Sequence, residues 1–284
     1  MFSAGTRLDA TAPVPVLEPL RAVNRALLEL LDGFSAEDWA RPTVHPDRSV
    51  KDLTAHLLQG SLFRVSTLRD GYHVAASGPV ASREELTQLI QRNNREFLAG
   101  LRRVSPRVLR ELLERYDAEL VSVFAELDPQ APGLGVVWAG EWVSPNWFDV
   151  AREYTEKWHH QQQLRDATGR PPLYAPELFV PALETFSRAL PHAYQQLSLP
   201  EGTSLSIALG DPAPLGWTLR RHQNAWQLFA GADSAALTTI SLSPDLAWRL
   251  WTLGIPRAAA RGGMQIVGDP AHAEPLLGCV AILA

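Results

Sequence analysis

The first part of the chain carries apolar residues at helical spacing. Between residues 17 and 31, leucine and valine recur every three or four positions, which predicts an amphipathic helix that ends near Gly33. Serine stands before three later apolar stretches, where its hydroxyl can cap the backbone N–H groups of a first helical turn. Helices are therefore predicted to begin near Leu17, Ser49, Ser82, Ser105 and Asn146.

Beyond residue 175 the pattern changes to shorter elements. One helix is predicted over residues 176 to about 197, and another follows Ser243. Between and after them, short alternating runs are separated by turn sequences such as Gly210-Asp211-Pro212, and they predict strands at residues 204–209, 217–221, 226–230, 237–242 and 264–267. We therefore predict an all-helical domain of residues 1–172 and a smaller α+β domain of residues 173–284.

Composition and charge limit the classes of protein that this chain fits. Of its 284 residues, 46% are hydrophobic and 20% are charged, which is typical of a chain with a packed core. A net charge of −5 without a basic block argues against nucleic-acid and membrane partners. No apolar run approaches the roughly 20 residues of a membrane span. The first residues lack the apolar stretch of a secretory signal, so we expect a cytoplasmic protein.

The single cysteine, Cys279, excludes an intramolecular disulfide and a metal cluster built on cysteines. It lies in the apolar sequence GCVAILA, where we expect it to be a core residue.

The segment EYTEKWHHQQQLRDATGR, residues 153–170, offers metal-ligating side chains. Glu156 and His160 are four positions apart on a predicted helix, so both side chains lie on one face. A carboxylate and an imidazole at this spacing can bind one metal ion. Asp149, Glu153 and Gln163 share that face, which contains no cation.

A solvated helix face is the alternative interpretation of the same pattern. The apolar stripe of this helix lies nearly opposite the polar face, where a surface helix would meet water. Glutamate and histidine four positions apart also arise often by chance. The apolar stripe consists of Trp147, Ala151, Tyr154 and Trp158.

Histidines elsewhere in the chain bear on the same question. His56, in SVKDLTAHLLQG, is either a hydrogen-bonded core residue or a ligand, and a bundle can bring it to face the helix of Glu156 and His160. His159 points about 100° away from His160 around a regular helix and is not expected to face the same ion. The remaining histidines are predicted to lie at the surface: His45, His73, His192, His222 and His272.

The segments SVKDLTAHLLQG and TEKWHHQQQLRDA resemble the two signature segments of the DinB/YfiT-like superfamily, and within it they are most similar to the mycothiol-dependent maleylpyruvate isomerase family. RGGMQIVGDPAHAEPLL resembles the end of the family's smaller domain. The resemblance implies a DinB-like four-helix bundle followed by a sterol-carrier-like α+β domain. It also implies a divalent metal bound by His56, Glu156 and His160. Gln163 departs from the aspartate that many relatives have at this position, which leaves its role open.

The same resemblance implies a metal-dependent isomerase or S-transferase that uses a low-molecular-weight thiol, mycothiol or another. A metal-bound thiolate would attack a small electrophilic substrate. We expect zinc, although nickel, iron and manganese also accept these donors. A substrate carboxylate would need a cation, and a bundle helix offers amides to line a pocket. The candidates are Arg220, Arg221, Arg249, Arg257 and Arg261 for the cation, and Asn93 and Asn94 for the lining.

Two other functions fit the same residues. A metal-dependent hydrolase would use metal-bound water as its nucleophile and would need no thiol. A protein without catalytic activity would use the metal only to stabilise the bundle and would bind a ligand through the smaller domain.

Overall fold

The structure, a computed structural model, describes residues 9–73 and 80–282. It divides into two compact units. The helical unit consists of Pro15–Gly133 and Pro145–Leu173. The sheet-bearing unit consists of the described residues up to Val14, then Leu134–Ser144, and then the chain from Tyr174 onward. The chain therefore enters and leaves the helical unit twice, and the division into two domains at residue 172 stays a prediction.

The helical unit contains the five long helices that the periodicity predicts. Ser49 and Asp52 form a reciprocal capping box at the second of them, and Ser82 and Ser105 cap the next two with their hydroxyls. The last helix ends at Gly169, whose φ of 63° is the left-handed conformation that glycine adopts without strain. In chain order the helices are α1 (Leu17–Asp32), the short α2 (Ala36–Ala40), α3 (Val50–Leu68), α4 (Arg83–Leu101), α5 (Pro106–Ala125) and α6 (Asn146–Thr168).

Helix α3 occupies the middle of this unit, packed against α4, α5 and α6, and α1 packs against α5 and α6. Helices α1, α3, α5 and α6 thus form the predicted four-helix bundle, with α4 laid against α3. The apolar core that holds the bundle together includes Leu27, Leu53, Leu57, Leu58, Leu113 and Leu164.

The sheet-bearing unit is built on a mixed sheet whose six strands are β1 (Asp9–Ala10), β4 (Ser204–Leu209), β5 (Leu215–His222), β6 (Ala225–Ala230), β7 (Thr238–Leu242) and β8 (Gln265–Val267). Their order in the sheet is β1-β6-β5-β4-β7-β8, and among these described pairs only β4–β7 is parallel. A separate two-stranded ribbon joins β2 (Pro132–Leu134) and β3 (Val143–Pro145).

Short helices complete the sheet-bearing unit, so the chain has the predicted α+β architecture after its helical part. The predicted helix over residues 176–197 is divided by a 3₁₀ turn, Ser187–Ala189, into two shorter helices. These helices and the later ones are α7 (Pro176–Phe186), α8 (Leu190–Ala193), α9 (Pro244–Trp251), α10 (Arg257–Gly262) and α11 (Glu274–Leu277).

His272 corrects one of the surface predictions. Its side chain is buried, and its Nδ1 lies 2.8 Å from the hydroxyl of Thr238, while its backbone carbonyl accepts a hydrogen bond from Tyr194. A position in a loop or at the edge of an element favoured the surface, but these contacts satisfy the polar groups that burial would otherwise leave unpaired.

Among the described residues, no helix is both long enough and apolar enough to cross a membrane.

Candidate metal centre

The three predicted ligands lie together between two helices of the helical unit. His56 comes from α3, and Glu156 and His160 come from successive turns of α6. One donor atom from each side chain lies within 4.8 Å of the other two. His160 Nε2 and Glu156 Oε2 are 3.3 Å apart. Two ligands of one tetrahedral zinc ion are separated by roughly 3.4 Å, so these atoms are spaced as a shared ion requires.

Helix α6 is buried along most of its circumference, so the interpretation of a solvated polar face is wrong. Asp149, Glu153, His160 and Gln163 are each no more than 7% exposed. Polar groups taken out of water need partners inside the protein, and α3 supplies several of them with its own polar side chains. The polar face of α6 is therefore an internal surface of the bundle.

A glutamine three residues after each histidine orients the imidazole. Gln163 Oε1 lies 2.8 Å from His160 Nδ1, and Gln59 Oε1 lies 3.4 Å from His56 Nδ1. An amide oxygen can only accept a hydrogen bond, so in both cases Nδ1 carries the proton. Nε2 is then the nitrogen with a lone pair for a metal. The sequence contains a glutamine three residues after a histidine in both HLLQ and HQQQ. Gln163, whose role the resemblance left open, thus orients His160.

Burial and neighbouring charges favour the ligating forms of these side chains. Burial lowers the pKa of His56 to about 3, with repulsion from His160 acting in the same direction, so His56 is neutral near pH 7. Burial alone would raise the pKa of Glu156, but the electrostatic influence of the neighbouring His159, His160 and Arg152 holds that pKa below its usual range. Glu156 is therefore a carboxylate.

His159 stays outside this group, as its position on the helix predicts. Its Nδ1 lies 3.2 Å from the backbone carbonyl of Thr155, and its side chain is buried. Burial lowers the pKa of His159 to about 3, so this imidazole is also neutral.

Four further charged side chains of α3 and α6, three of them buried and one half-buried, balance one another beside the centre. Arg64 pairs with Asp149, and Arg152 Nη2 lies 3.0 Å from Asp149 Oδ1 and 3.4 Å from Glu153 Oε2. The helices approach closely here, since a Cβ at Gly60 would lie 3.1 Å from Glu153 Oε1. Two guanidinium groups and two carboxylates leave this layer without net charge.

His45 was predicted to lie at the surface, and that prediction is wrong. Its side chain is half-buried, and its Nε2 lies 3.2 Å from Gln163 Oε1, the same oxygen that contacts His160. The rings of His45 and His160 have centroids 6.1 Å apart. A loop has no periodicity that assigns a side chain to a face, so sequence reasoning missed this residue.

The arginines proposed for a substrate carboxylate belong to the sheet-bearing unit, where three of them have carboxylate partners. Arg249 Nε lies 3.0 Å from Asp245, Arg220 Nη2 lies 3.6 Å from Asp233, and Arg261 pairs with Glu274. Arg257 is exposed, and Arg221 lies over the ring of Trp226. On α4, Asn94 is buried and Asn93 is exposed.

The donor set fits a divalent metal ion. Two imidazoles and a carboxylate are ligands that zinc and other first-row divalent ions accept, and three protein ligands leave coordination open for a small molecule. Such a site defines a class: proteins with a helical bundle that carries an interhelical two-histidine, one-carboxylate centre, joined to a mixed-sheet unit. Comparison with known proteins identifies the family within this class.

The profile described as the mycothiol maleylpyruvate isomerase N-terminal domain matches residues 20–165, about half of the chain, and the chain belongs to this family. Two solved structures share the fold, one of the mycothiol-dependent maleylpyruvate isomerase and one of a point mutant of that enzyme. Their TM-scores are 0.54 and 0.52, each at 15% identity, covering 89% of this chain and 92% of the other. Comparison with curated proteins returns no match. The family resemblance in the sequence is thereby confirmed.

Replacing Gln163 tests how the imidazoles are oriented. We expect Gln163→Met to weaken zinc binding about 10–100-fold, because an apolar side chain of similar length removes the acceptor that fixes His160. Gln59→Met is the matched variant at the longer contact and should have the smaller effect. Zinc affinity is measured by competition with a chromogenic chelator. Equal affinity of Gln163→Met and wild type would contradict the role given to Gln163.

Proposed function

We propose that this protein is a divalent-metal-dependent and thiol-dependent isomerase or S-transferase of the maleylpyruvate isomerase type. The observation that carries the proposal is the grouping of His56, Glu156 and His160 within 4.8 Å, in a chain of the mycothiol maleylpyruvate isomerase family. We propose these three side chains as the metal ligands and zinc as the metal. The solved enzyme that shares the fold is described as mycothiol-dependent, which supports mycothiol as the thiol.

The chain's own residues prepare this site before any small molecule binds. His56 is neutral, Glu156 is ionised, and Gln163 and Gln59 hold the imidazoles with Nε2 available. A divalent cation held by them would lower the pKa of a bound thiol and so supply a thiolate near neutral pH. The balanced layer of Arg64, Asp149, Arg152 and Glu153 adds no net charge to compete with that effect.

The thiol must come from outside the chain. Cys279 is the chain's one cysteine, and it is 1% exposed. A buried cysteine is an unsuitable nucleophile. A low-molecular-weight thiol such as mycothiol supplies the sulfur instead.

A thiolate is sufficient to isomerise a cis double bond that is conjugated to a carbonyl group. The sulfur adds to one alkene carbon, the electron pair of the double bond moves toward the carbonyl oxygen, and the former double bond becomes a single bond. Rotation about that bond followed by loss of the same sulfur restores the double bond as the trans isomer. The thiol is regenerated, so no oxidant or reductant is consumed.

Thiol dependence of turnover tests the proposal. Zinc-loaded protein is incubated with maleylpyruvate alone and with catalytic amounts of mycothiol, glutathione or cysteine, and loss of the cis isomer is followed by absorbance. We expect turnover only with a thiol, fastest with mycothiol, with the total thiol unchanged at the end. Cys279→Ser should turn over at the wild-type rate, because its sulfur takes no part.

Two outcomes would contradict the proposal. Hydrolysis of a substrate at the same rate with and without thiol would identify a metal-dependent hydrolase. Zinc-loaded protein that turns over no tested electrophile and shows no affinity for any of the thiols would favour a metal-stabilised binding protein.

A further inference from the structure

Arg48 is a buried guanidinium without an acidic partner. It lies in the loop that precedes α3 and is 8% exposed. Among the described residues its side chain makes one hydrogen bond, from Nη2 to the neutral Gln91 Oε1 at 3.3 Å, and it forms no ion pair with a carboxylate. The acidic neighbour in sequence, Asp47, is exposed. A buried charge that lacks a counter-charge is costly, so the site is suited to an anion that comes from outside the chain.

Two other arginines of the helical unit, the buried Arg64 and the half-buried Arg152, differ in this respect. Arg64 pairs with Asp149, and Arg152 contacts both Asp149 and Glu153. Carboxylates of the protein therefore neutralise the charges of these two arginines, whereas no carboxylate of the described residues pairs with Arg48.

The loop that carries Arg48 is fixed beside the candidate metal centre. Thr43 Oγ1 donates a hydrogen bond to the carbonyl of Arg48 at 2.9 Å, and the backbone N–H of Arg48 donates to the carbonyl of His45 at 3.1 Å. His45 in turn contacts Gln163, which orients His160. A series of hydrogen bonds therefore connects the backbone of Arg48 to His160, one of the proposed ligands.

The rings give the same placement for this loop, because the centroid of His45 lies 6.1 Å from that of His160.

We infer that Arg48 binds a carboxylate of the small-molecule substrate and holds it beside the metal centre. The inference deepens the proposed function and rests on it for the identity of the ligand as a substrate. Arginine suits the task because its planar guanidinium donates two parallel hydrogen bonds to one carboxylate. A dication, the carboxylate of Glu156 and the guanidinium of Arg48 together leave two positive charges, which favour an anionic ligand over a neutral one.

Direct binding of a carboxylate probe tests this role without turnover. The affinity of zinc-loaded protein for maleate is measured by isothermal titration calorimetry for wild type, Arg48→Gln and Arg48→Lys. We expect Arg48→Gln to weaken maleate binding about 10–100-fold through loss of charge-assisted hydrogen bonds, and Arg48→Lys to be intermediate. Zinc content, measured by mass spectrometry, should stay at the wild-type value in both variants. Arg41→Gln is the matched control, because Arg41 is exposed and pairs with Asp38.

Stability of the ligand-free protein separates ligand binding from a structural role. If Arg48 is retained for an external anion, Arg48→Met should unfold at the wild-type temperature or above it, because it removes an unpaired buried charge. Unchanged maleate affinity in Arg48→Gln, or a wild type that binds no maleate at millimolar concentration, would overturn the inference. If maleate binding depends on Arg48 but no turnover depends on a thiol, the proposed function is contradicted and the role of Arg48 as an anion-binding residue still stands.

Discussion

His160→Ala is expected to lose its metal while the neighbouring variant His159→Ala keeps it. The two histidines are adjacent in sequence and both buried, but only His160 joins His56 and Glu156 in the group of potential ligands. Loss of an orienting hydrogen bond costs about 10–100-fold in metal affinity, so loss of a ligand should cost more than about 100-fold. The His159→Ala variant thus controls for the effect of removing a buried imidazole from α6.

Metal content after dialysis against dilute zinc, measured by mass spectrometry, gives the result directly. Wild type and His159→Ala should hold close to one zinc per chain, and His160→Ala, His56→Ala and Glu156→Gln should hold little. Circular dichroism establishes that the variants keep their helices. Zinc retained by His160→Ala, or a wild type that takes up no divalent ion on titration, would show that these three side chains are not a metal site.

Lys157→Met is expected to destabilise the protein by about 3–5 kcal/mol, the largest effect on stability that we predict. Lys157 and Asp117 have side chains no more than 3% exposed, and Lys157 Nζ lies 2.7 Å from Asp117 Oδ1. The same Nζ donates to Ser61 Oγ at 2.6 Å and to the backbone carbonyl of Leu57 at 3.0 Å. Removal of the amine leaves a buried carboxylate without its counter-charge, which costs far more than the pair itself contributes.

Chemical denaturation measures the loss in free energy of unfolding, and two further variants serve as controls. The double variant Lys157→Met with Asp117→Leu should recover most of the stability, because it removes both charges. Lys51→Met is the control at the chain's other lysine, whose exposed Nζ donates to the carbonyl of Arg102, and it should cost less than about 1 kcal/mol. A Lys157→Met protein as stable as wild type, or a double variant as unstable as the single one, would contradict this account.

Much of the bundle could be predicted because its signals are local. The serine caps and the glycine after α6 fix where helices begin and end, and each depends on residues within four positions. The three candidate ligands followed from spacing on α6 together with the family resemblance. The position of His56 opposite α6 did not follow from periodicity, since about 100 residues separate it from Glu156.

The residues that sequence reasoning missed have partners far away in the chain. The polar face of α6 is typical of a solvated surface until Arg64 of α3 is known to pair with Asp149 on it. Arg48 and His45 lie in a loop, where no period assigns a face, and both depend on contacts with α4 or α6. Strand β1 has two residues, too few to show an alternating pattern.

The position of β1 in the sheet has a consequence for the order in which the chain can assemble during its synthesis. β1 forms an edge strand against β6, and Thr11 Oγ1 contacts the carbonyl of Leu228, 217 positions later in the chain. The helical unit is complete once Leu173 has been made, whereas β1 has no partner until β6 follows. Contacts of such long sequence separation form slowly, so the bundle should fold on the ribosome first and the edge of the sheet should close last.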